Sequence, residues 1–414
     1  MQKFSFELLR TAITKHDELY DVSKISDFVP ILESCVTNSN DEGIITSALK
    51  VLTLLVRIEG YADEIDAKFT KCARSTLKII KDCPSTNQPL PQASLRFLSA
   101  AIRHRDNLQL KDNALSYVLR RVSSDLNEPM LQGVAFGLLK AMVSRHIMIA
   151  ELYDTMDTVS ELMITSVSNE IREVSRSVLY TFLMEYDQSR GKLEKQFKKL
   201  INNLQYPGMS GRISVLELVH LIINKSSKEL LVKLSNSFFI ALANVSVNDD
   251  APTCRELAVT LITTMFSKFD KLNADLSFVE KYINIWLKQN KNELLVRCGL
   301  EIFKVYISSI SYERLNKSLV ENGMKCISTI LYSSKRVRDD DQEDENDNKS
   351  EETGWELIYS SLNVLLKMTE IEEFDDLYTT KNKRLWDNVI DSLLYPHSWI
   401  RISSSKLLID HLDN

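Results

Sequence analysis

Turn-forming residues are scarce in this chain. Its 414 residues include only 10 glycines and 8 prolines, against usual shares of about 7% and 5%. Chain reversals in sheets depend on such residues, so a hairpin-rich fold is excluded and a mostly helical one remains. Cysteine is sparse too. Cys35, Cys72, Cys83, Cys254, Cys298 and Cys326 form no C-x-x-C pair and read as reduced core residues of an intracellular protein. No apolar run approaches the roughly 18 residues that cross a bilayer. The best candidate, Ser237 to Val247, is short and carries Asn244. Lys3, Glu7 and Arg10 interrupt the opening MQKFSFELLR where a signal peptide needs an unbroken apolar stretch.

Enzyme signatures are missing as well. The sequence has no G-x-S-x-G, no G-x-x-x-x-G-K-[ST] and no G-x-G-x-x-G. His104-Arg105-Asp106 mimics the kinase catalytic triplet, but Leu110 stands where the following Asn belongs, so it reads as a helix end. His16, His104, His146, His220, His397 and His411 form no i, i+4 pair and have no cysteine at ligand spacing, which argues against a metal site. No cofactor and no small-molecule substrate are expected, and the chain is read as a non-enzyme.

What is present is a series of amphipathic helices. Leu193, Phe197, Leu200, Ile201 and Leu204 make one apolar stripe at helical spacing. Short polar breaks precede every second helix: TNSNDEG at 37, STNQPLP at 85, LNEP at 126, VSNE at 167, NDDAP at 248, QNKNE at 289 and YPHS at 395. Asn, Asp and Ser cap helix starts, and Pro suits the first turn.

An arginine recurs early in these second helices. Arg96, Arg172, Arg212, Arg255, Arg297 and Arg401 share that place, with Val134 in the same register. Positions 96, 134, 172, 212, 255 and 297 are spaced by 38, 38, 40, 43 and 42. The phrase Tyr-Pro-Gly-Met-Ser-Gly-Arg-Ile-Ser at 206 returns as Tyr-Pro-His-Ser-Trp-Ile-Arg-Ile-Ser at 395. A period near 40 with two helices per unit is the HEAT/armadillo signature, giving an all-α solenoid of about nine helix pairs. Repeats fill residues 1–334 and 354–414, separated by 335–353. A cation in a helix's first turn opposes the macrodipole. These arginines are therefore expected to hold structural partners, an acid or a carbonyl of the adjacent turn, with Asp249, Asp250, Glu170 and Glu293 nearby.

Two charged features stand apart. Residues 339–352, DDDQEDENDNKSEE, hold nine carboxylates and one lysine, which leaves the rest of the chain near neutral. With the preceding KRVR they read as a solvated, disordered-type insertion. Arg190, Lys192, Lys195, Lys198 and Lys199 form a basic face opposite the Leu193/Phe197/Leu200 stripe. Such a face is either solvated or a contact for RNA phosphates or an acidic partner. Arg103, Arg105, Arg120 and Arg121 suggest a weaker basic surface. Gly208-Met209-Ser210-Gly211 is a G-x-x-G, the loop with which KH domains clamp nucleic acid, but the strands of that fold are missing.

The stretch from Glu128 to Cys254 includes LQGVAFGLLKAMVSRHIMIAELYD, KLINNLQYPGMSGRISVLELVHLI and VNDDAPTCRELA. With the closing LLYPHSWIR, it resembles the C-terminal part of the down-regulated in metastasis family, the very large U3 snoRNA-associated HEAT-repeat scaffolds of the small-subunit processome. The resemblance covers most of the chain, most strongly residues 90–310 and 384–402, and rests on the ordered series rather than on one motif. It implies a nucleolar, non-catalytic scaffold for small-subunit pre-rRNA processing, with pre-ribosomal proteins and pre-rRNA or snoRNA as partners and no membrane. It also implies inter-repeat bonding for the recurrent arginines and a chain that is a fragment of a longer protein. It supplies no catalytic or ligand residue. HEAT-repeat nuclear transport receptors and enzyme-regulatory scaffolds are the alternatives, since a solenoid alone does not fix function.

Overall fold

The computed structural model describes the chain apart from residues 1, 16–24, 187, 189, 290–291, 341–353, 375–382 and 414. Among the described residues there are α-helices and short 3₁₀ turns and no strand. The chain divides into two compact units, Met1–Leu200 and Ile201–Asn414.

In the first unit, helices α1 (Gln2–Lys15), α2 (Phe28–Asn38), α3 (Glu42–Leu55), α4 (Asp63–Asp82), α5 (Pro89–His104), α6 (Asp112–Ser123), α7 (Gln132–Ser144), α8 (Glu151–Thr165) and α9 (Asn169–Met184) follow one another. Helix α10 (Arg190–Asn202) begins in this unit and ends in the next. The second unit continues with α11 (Met209–Lys225), α12 (Lys228–Asn248), α13 (Pro252–Lys271), α14 (Ser277–Leu287), α15 (Glu293–Ser309), α16 (Lys317–Asp340), α17 (Trp355–Thr369), α18 (Lys383–Asp391) and α19 (Ser398–Asp413).

Alternate helices pack on each other. Within the first unit α1, α3, α5, α7 and α9 form one layer and α2, α4, α6 and α8 the other. In the second unit α11, α13, α15, α17 and α19 form one layer and α12, α14, α16 and α18 the other. Within each unit the even-numbered helices α2, α4, α6, α8, α12, α14, α16 and α18 also pack on the odd-numbered helix that follows, so the repeat is a helix pair. That is the two-layer plan of an α-solenoid, in which no pair covers its own apolar face and its neighbours do so. Taken in order from α2 to α19, the described helices make nine pairs after α1.

Local chemistry sets the helix starts. Asp41 accepts from the backbone N–H of Gly43 (2.8 Å) and Ile44 (3.1 Å). Ser168 accepts from Ile171 (3.4 Å) and Asn292 from Leu295 (3.2 Å). Each satisfies an orphan donor at a break whose composition announced it. The odd-numbered helices carry the densest core: Phe97, Leu98, Leu138, Leu139, Phe182 and Leu216 are almost wholly buried. Each such side chain contributes roughly 1.5–3 kcal/mol on leaving water.

The described part of the acidic region sharpens its boundary. Helix α16 runs through Asp340, so residues 335–340 are helical rather than part of a loop. Residues 341–353 lie outside the described part. Helix α12 is longer than its apolar run suggested. Among the described residues it is the one helix whose length and mean hydropathy (1.6 over its best window) would allow a membrane span. Its Phe238, Phe239, Leu242 and Ala243 are buried, while Asn236, Asn244 and Asn248 are exposed, and it packs along α13. It is an amphipathic helix of the protein's own core.

All six cysteines are free, and burial pushes the Cys72 and Cys298 thiols up to about 12. Close helix approach decides one glycine. A Cβ on Gly323 would stand 2.5 Å from the ring of fully buried Phe303. Gly323→Ala is expected to lower stability by about 2 kcal/mol through overpacking, seen as a lower urea midpoint with an unchanged slope.

Candidate functional site

The recurrent arginines sit at the turns between paired helices, where the second helix begins. Arg172 Nη1 donates to the carbonyls of Ser166 (2.7 Å) and Val167 (3.0 Å). Arg212 Nη1 donates to Tyr206 (3.0 Å) and Pro207 (2.8 Å). Arg255 Nη1 donates to Asp249 (2.6 Å) and Asp250 (3.1 Å). Arg401 Nη1 reaches Tyr395 (2.8 Å) and also Pro396. In every case the acceptors lie six and five residues upstream. Tyr206 and Tyr395 adopt the same extended backbone, with φ −61° and ψ 136° against φ −66° and ψ 142°, as a residue before proline must. The twin Tyr-Pro phrase is therefore one conformation used twice.

This geometry resolves the dipole conflict. The guanidinium folds back from its own helix's positive end onto two carbonyls of the connecting turn, so the charge is met by acceptors rather than left against the dipole. Two members of the register are not arginines. Gln92 Nε2 donates to Thr86 (2.8 Å) and Gln132 Nε2 to Leu126 (2.7 Å), again six residues upstream. Arg96, which the spacing placed here, is instead exposed one helical turn further on. The register runs 92, 132, 172, 212 at intervals of 40, more regular than the arginines alone suggest. Arg297 Nη1 pairs with Glu356 at the start of α17; position 291, six residues upstream of it, lies outside the described residues.

Arg212 joins two repeats as well. Its Nε and Nη2 donate to both oxygens of Asp249 (2.8 and 2.9 Å), and Nη2 also reaches Asp250. The Arg212 and Asp249 side chains are 8% and 5% exposed, so this is a buried bidentate pair. Burial works to raise the Asp249 carboxyl, but hydrogen bonds from Arg212 and the Ala251 N–H prevail and hold it below the ordinary range. A carboxyl lowered by folding adds stability that is complete above its unfolded pKa of about 3.9. That stability is lost as pH falls through the folded value. Below about pH 4 the unfolding free energy should fall more steeply for the native chain than for Asp249→Asn; equal slopes in acid titrations would refute this.

A second row of tethers, not anticipated from the sequence, lies at the opposite end of the odd-numbered helices. Arg105 donates to Val56 (3.0 Å), to Ile58 and to Asp66 (3.0 Å), and lies over the rings of Tyr61 and Phe69 at 5.0 and 4.9 Å. Arg145 pairs with Asp106. Tyr186 Oη donates to Ile147 (2.8 Å). In the second unit Lys268 Nζ donates to Ile223 (2.7 Å), Asn224 (2.9 Å) and Ser226 (2.7 Å). Arg314 holds Phe269, Asp270 and Ala274. Each ties one repeat to the one before. The kinase-like triplet dissolves into this row: Arg105 grips the preceding turn and Asp106 receives Arg145 from the next. The row shares a location but not a residue type, which is why its period does not show in the sequence.

The two expected basic surfaces fare differently. On α10, Lys192 Nζ sits 3.8 Å from the centroid of the Tyr153 ring, and Lys199 Nζ pairs with Asp157 at 2.8 Å. Asp154, Asp157 and Glu161 give α8 an exposed acidic stripe in the same layer. Lys195 and Lys198 are exposed and meet no acid among the described residues, and the Arg190 side chain lies outside them. The second surface is not a patch. Arg105 is buried, Arg121 donates to Cys83, Arg120 pairs with Glu151 at 3.5 Å, and Arg103 alone is free of these contacts. Gly208-Met209-Ser210-Gly211 opens α11 as its first turn, with Gly211 buried.

Among the described residues no cluster of three or more His, Cys, Asp or Glu is placed to hold a metal. An open depression of about 490 Å³ lies between α11 and α13, lined by Asn224, Thr260, Thr263, Ser267, Lys268 and Lys271. Lys268 is already engaged there by three carbonyls, so the depression offers one uncommitted cation, Lys271.

Comparison with known proteins adds identity to this geometry. Over 408 residues the chain is 50% identical to U3 small nucleolar RNA-associated protein 20 of Saccharomyces cerevisiae, matching 99% of this chain. It is 31% identical over 408 residues to the protein of the same name in Schizosaccharomyces pombe, matching 98% of this chain. The chain spans 16% of the length of each of these relatives. No protein-family model matches it. Among solved structures, an engineered protein aligns over 99% of this chain and 95% of its own at 12% identity and a TM-score of 0.43.

Proposed function

We propose that this chain, half identical along nearly its whole length to a U3 small nucleolar RNA-associated protein, is a non-catalytic scaffold segment in ribosome biogenesis. In this reading it belongs to the nucleolar small-subunit processome and supports small-subunit pre-rRNA processing by holding pre-ribosomal proteins and RNA. The observation that carries the reading is that match, 50% identical over 408 residues and 99% of this chain. The fold agrees in kind. A repeat array offers extended surface rather than a closed pocket, and many modest contacts add through effective concentration.

The test is purification of the tagged chain from growing cells. U3 RNA and small-subunit pre-rRNA are expected to co-purify and to be released as salt rises. Recovery of a small GTPase in its GTP state with no pre-ribosomal RNA would overturn the reading in favour of a transport receptor.

A further inference from the structure

We infer that the outward stripe of α4, Arg74, Lys78 and Lys81, is a phosphate-binding track for an RNA strand, a site that rests on the ribonucleoprotein reading above. The C-terminal half of α4, KCARSTLKIIKD, places cations at 71, 74, 78 and 81. Successive steps of three, four and three residues keep them on one face. Beneath them Phe69, Cys72, Ala73, Thr76 and Ile80 are buried, so the helix is fixed and the stripe faces solvent.

Pairing separates this stripe from other basic runs. Lys71 is paired with Glu33 at 2.6 Å, and Lys68 approaches the same carboxylate at 4.0 Å. Arg74, Lys78 and Lys81 meet no carboxylate among the described residues; Arg74 makes only a 3.4 Å bond to the Gln109 carbonyl. Exposed Lys111 follows two residues beyond that carbonyl. On α10, by contrast, neighbouring α8 supplies acids. The helix dipole accounts for a cation in the last turn, but its influence fades within that turn, so it explains Lys81 and leaves Arg74 and Lys78.

The spacing indicates the partner. At 1.5 Å per residue, the three cations follow one another after about 6 and then about 4.5 Å along the axis. A nucleic-acid strand offers a uniform series of charges, one per nucleotide. An acidic peptide offers carboxylates only where its sequence puts them. No exposed aromatic ring interrupts the track to stack on a base, so it would position RNA without reading it.

The experiment measures binding of the whole chain to a single-stranded uridine oligonucleotide by fluorescence anisotropy across a salt series. The variant R74Q/K78Q/K81Q keeps helix-forming side chains and should melt with the native chain. It is expected to bind at least tenfold more weakly at low salt, with the slope of log K against log salt reduced by about 2. K195Q/K198Q should lose less. An unchanged slope in the triple variant, or no binding by the native chain, overturns the track. So does loss of poly-glutamate binding with RNA binding intact, which would mark an acidic protein partner. Failure of the cellular co-purification alongside a reduced slope here would remove the processome role and leave the track standing.

Discussion

Arg212→Met is expected to destabilise the second unit by about 3 kcal/mol, the cost of leaving a buried carboxylate without its counter-ion. Five acceptors lose a bond together: the carbonyls of Tyr206 and Pro207, the two oxygens of Asp249 and one of Asp250, with Asp249 keeping the Ala251 N–H. Methionine keeps most of the aliphatic bulk, so packing contributes little to the loss. The comparison with Asp249→Ala makes the result specific. If the pair acts as a unit, the double variant should be little worse than either single one, with a coupling of about 1–3 kcal/mol. Additive losses in chemical denaturation would show that the two side chains act separately.

Phe239→Ala is expected to cost still more, about 4 kcal/mol. Phe239 is fully buried and lies against Phe266 at 5.9 Å, Phe278 at 5.9 Å, Tyr282 at 6.2 Å and Trp286 at 5.7 Å between ring centroids. These rings come from α12, α13 and α14, so one side chain fills the space where two consecutive pairs meet. A cavity there cannot collapse easily, because its walls are aromatic rings held on two other helices, α13 and α14. Phe239→Leu should recover more than half of the loss. Equal losses for the two variants would mean that ring contacts, rather than volume, carry the energy.

The helical content, the pairing and the period were legible because they rest on composition and backbone rules that act locally. Scarce glycine and proline left helices, and caps such as Asp41, Ser168 and Asn292 marked their starts. The register was legible only where its side chain was charged. Arg172, Arg212, Arg255 and Arg401 revealed it, but Gln92 and Gln132 perform the same bond without a charge, and Arg96 took their place in the reading by lying one turn away. What crosses from one repeat to the next was not legible. Asp157 meets Lys199 from 42 residues away, and nothing local marks it. The basic face of α10 therefore looked uniform in sequence and is partly neutralised in the fold. Helix α4 shows the converse, since its stripe gains meaning only once its acidic neighbours are known to stop at Lys71.

The turn staples have a mechanical consequence. Arg172, Arg255 and Arg401 bond carbonyls of their own turn in the contacts described above, so each stiffens its own repeat. Arg212 also fastens its repeat to the next, through Asp249 and Asp250. Under bending, the turn edge of the junction of α11 and α13 should therefore resist opening more than the packing of the two helices alone would allow. A bound particle that bends the second unit would then meet a clasp at that joint and would have to spread the Arg212–Asp249 pair to open it.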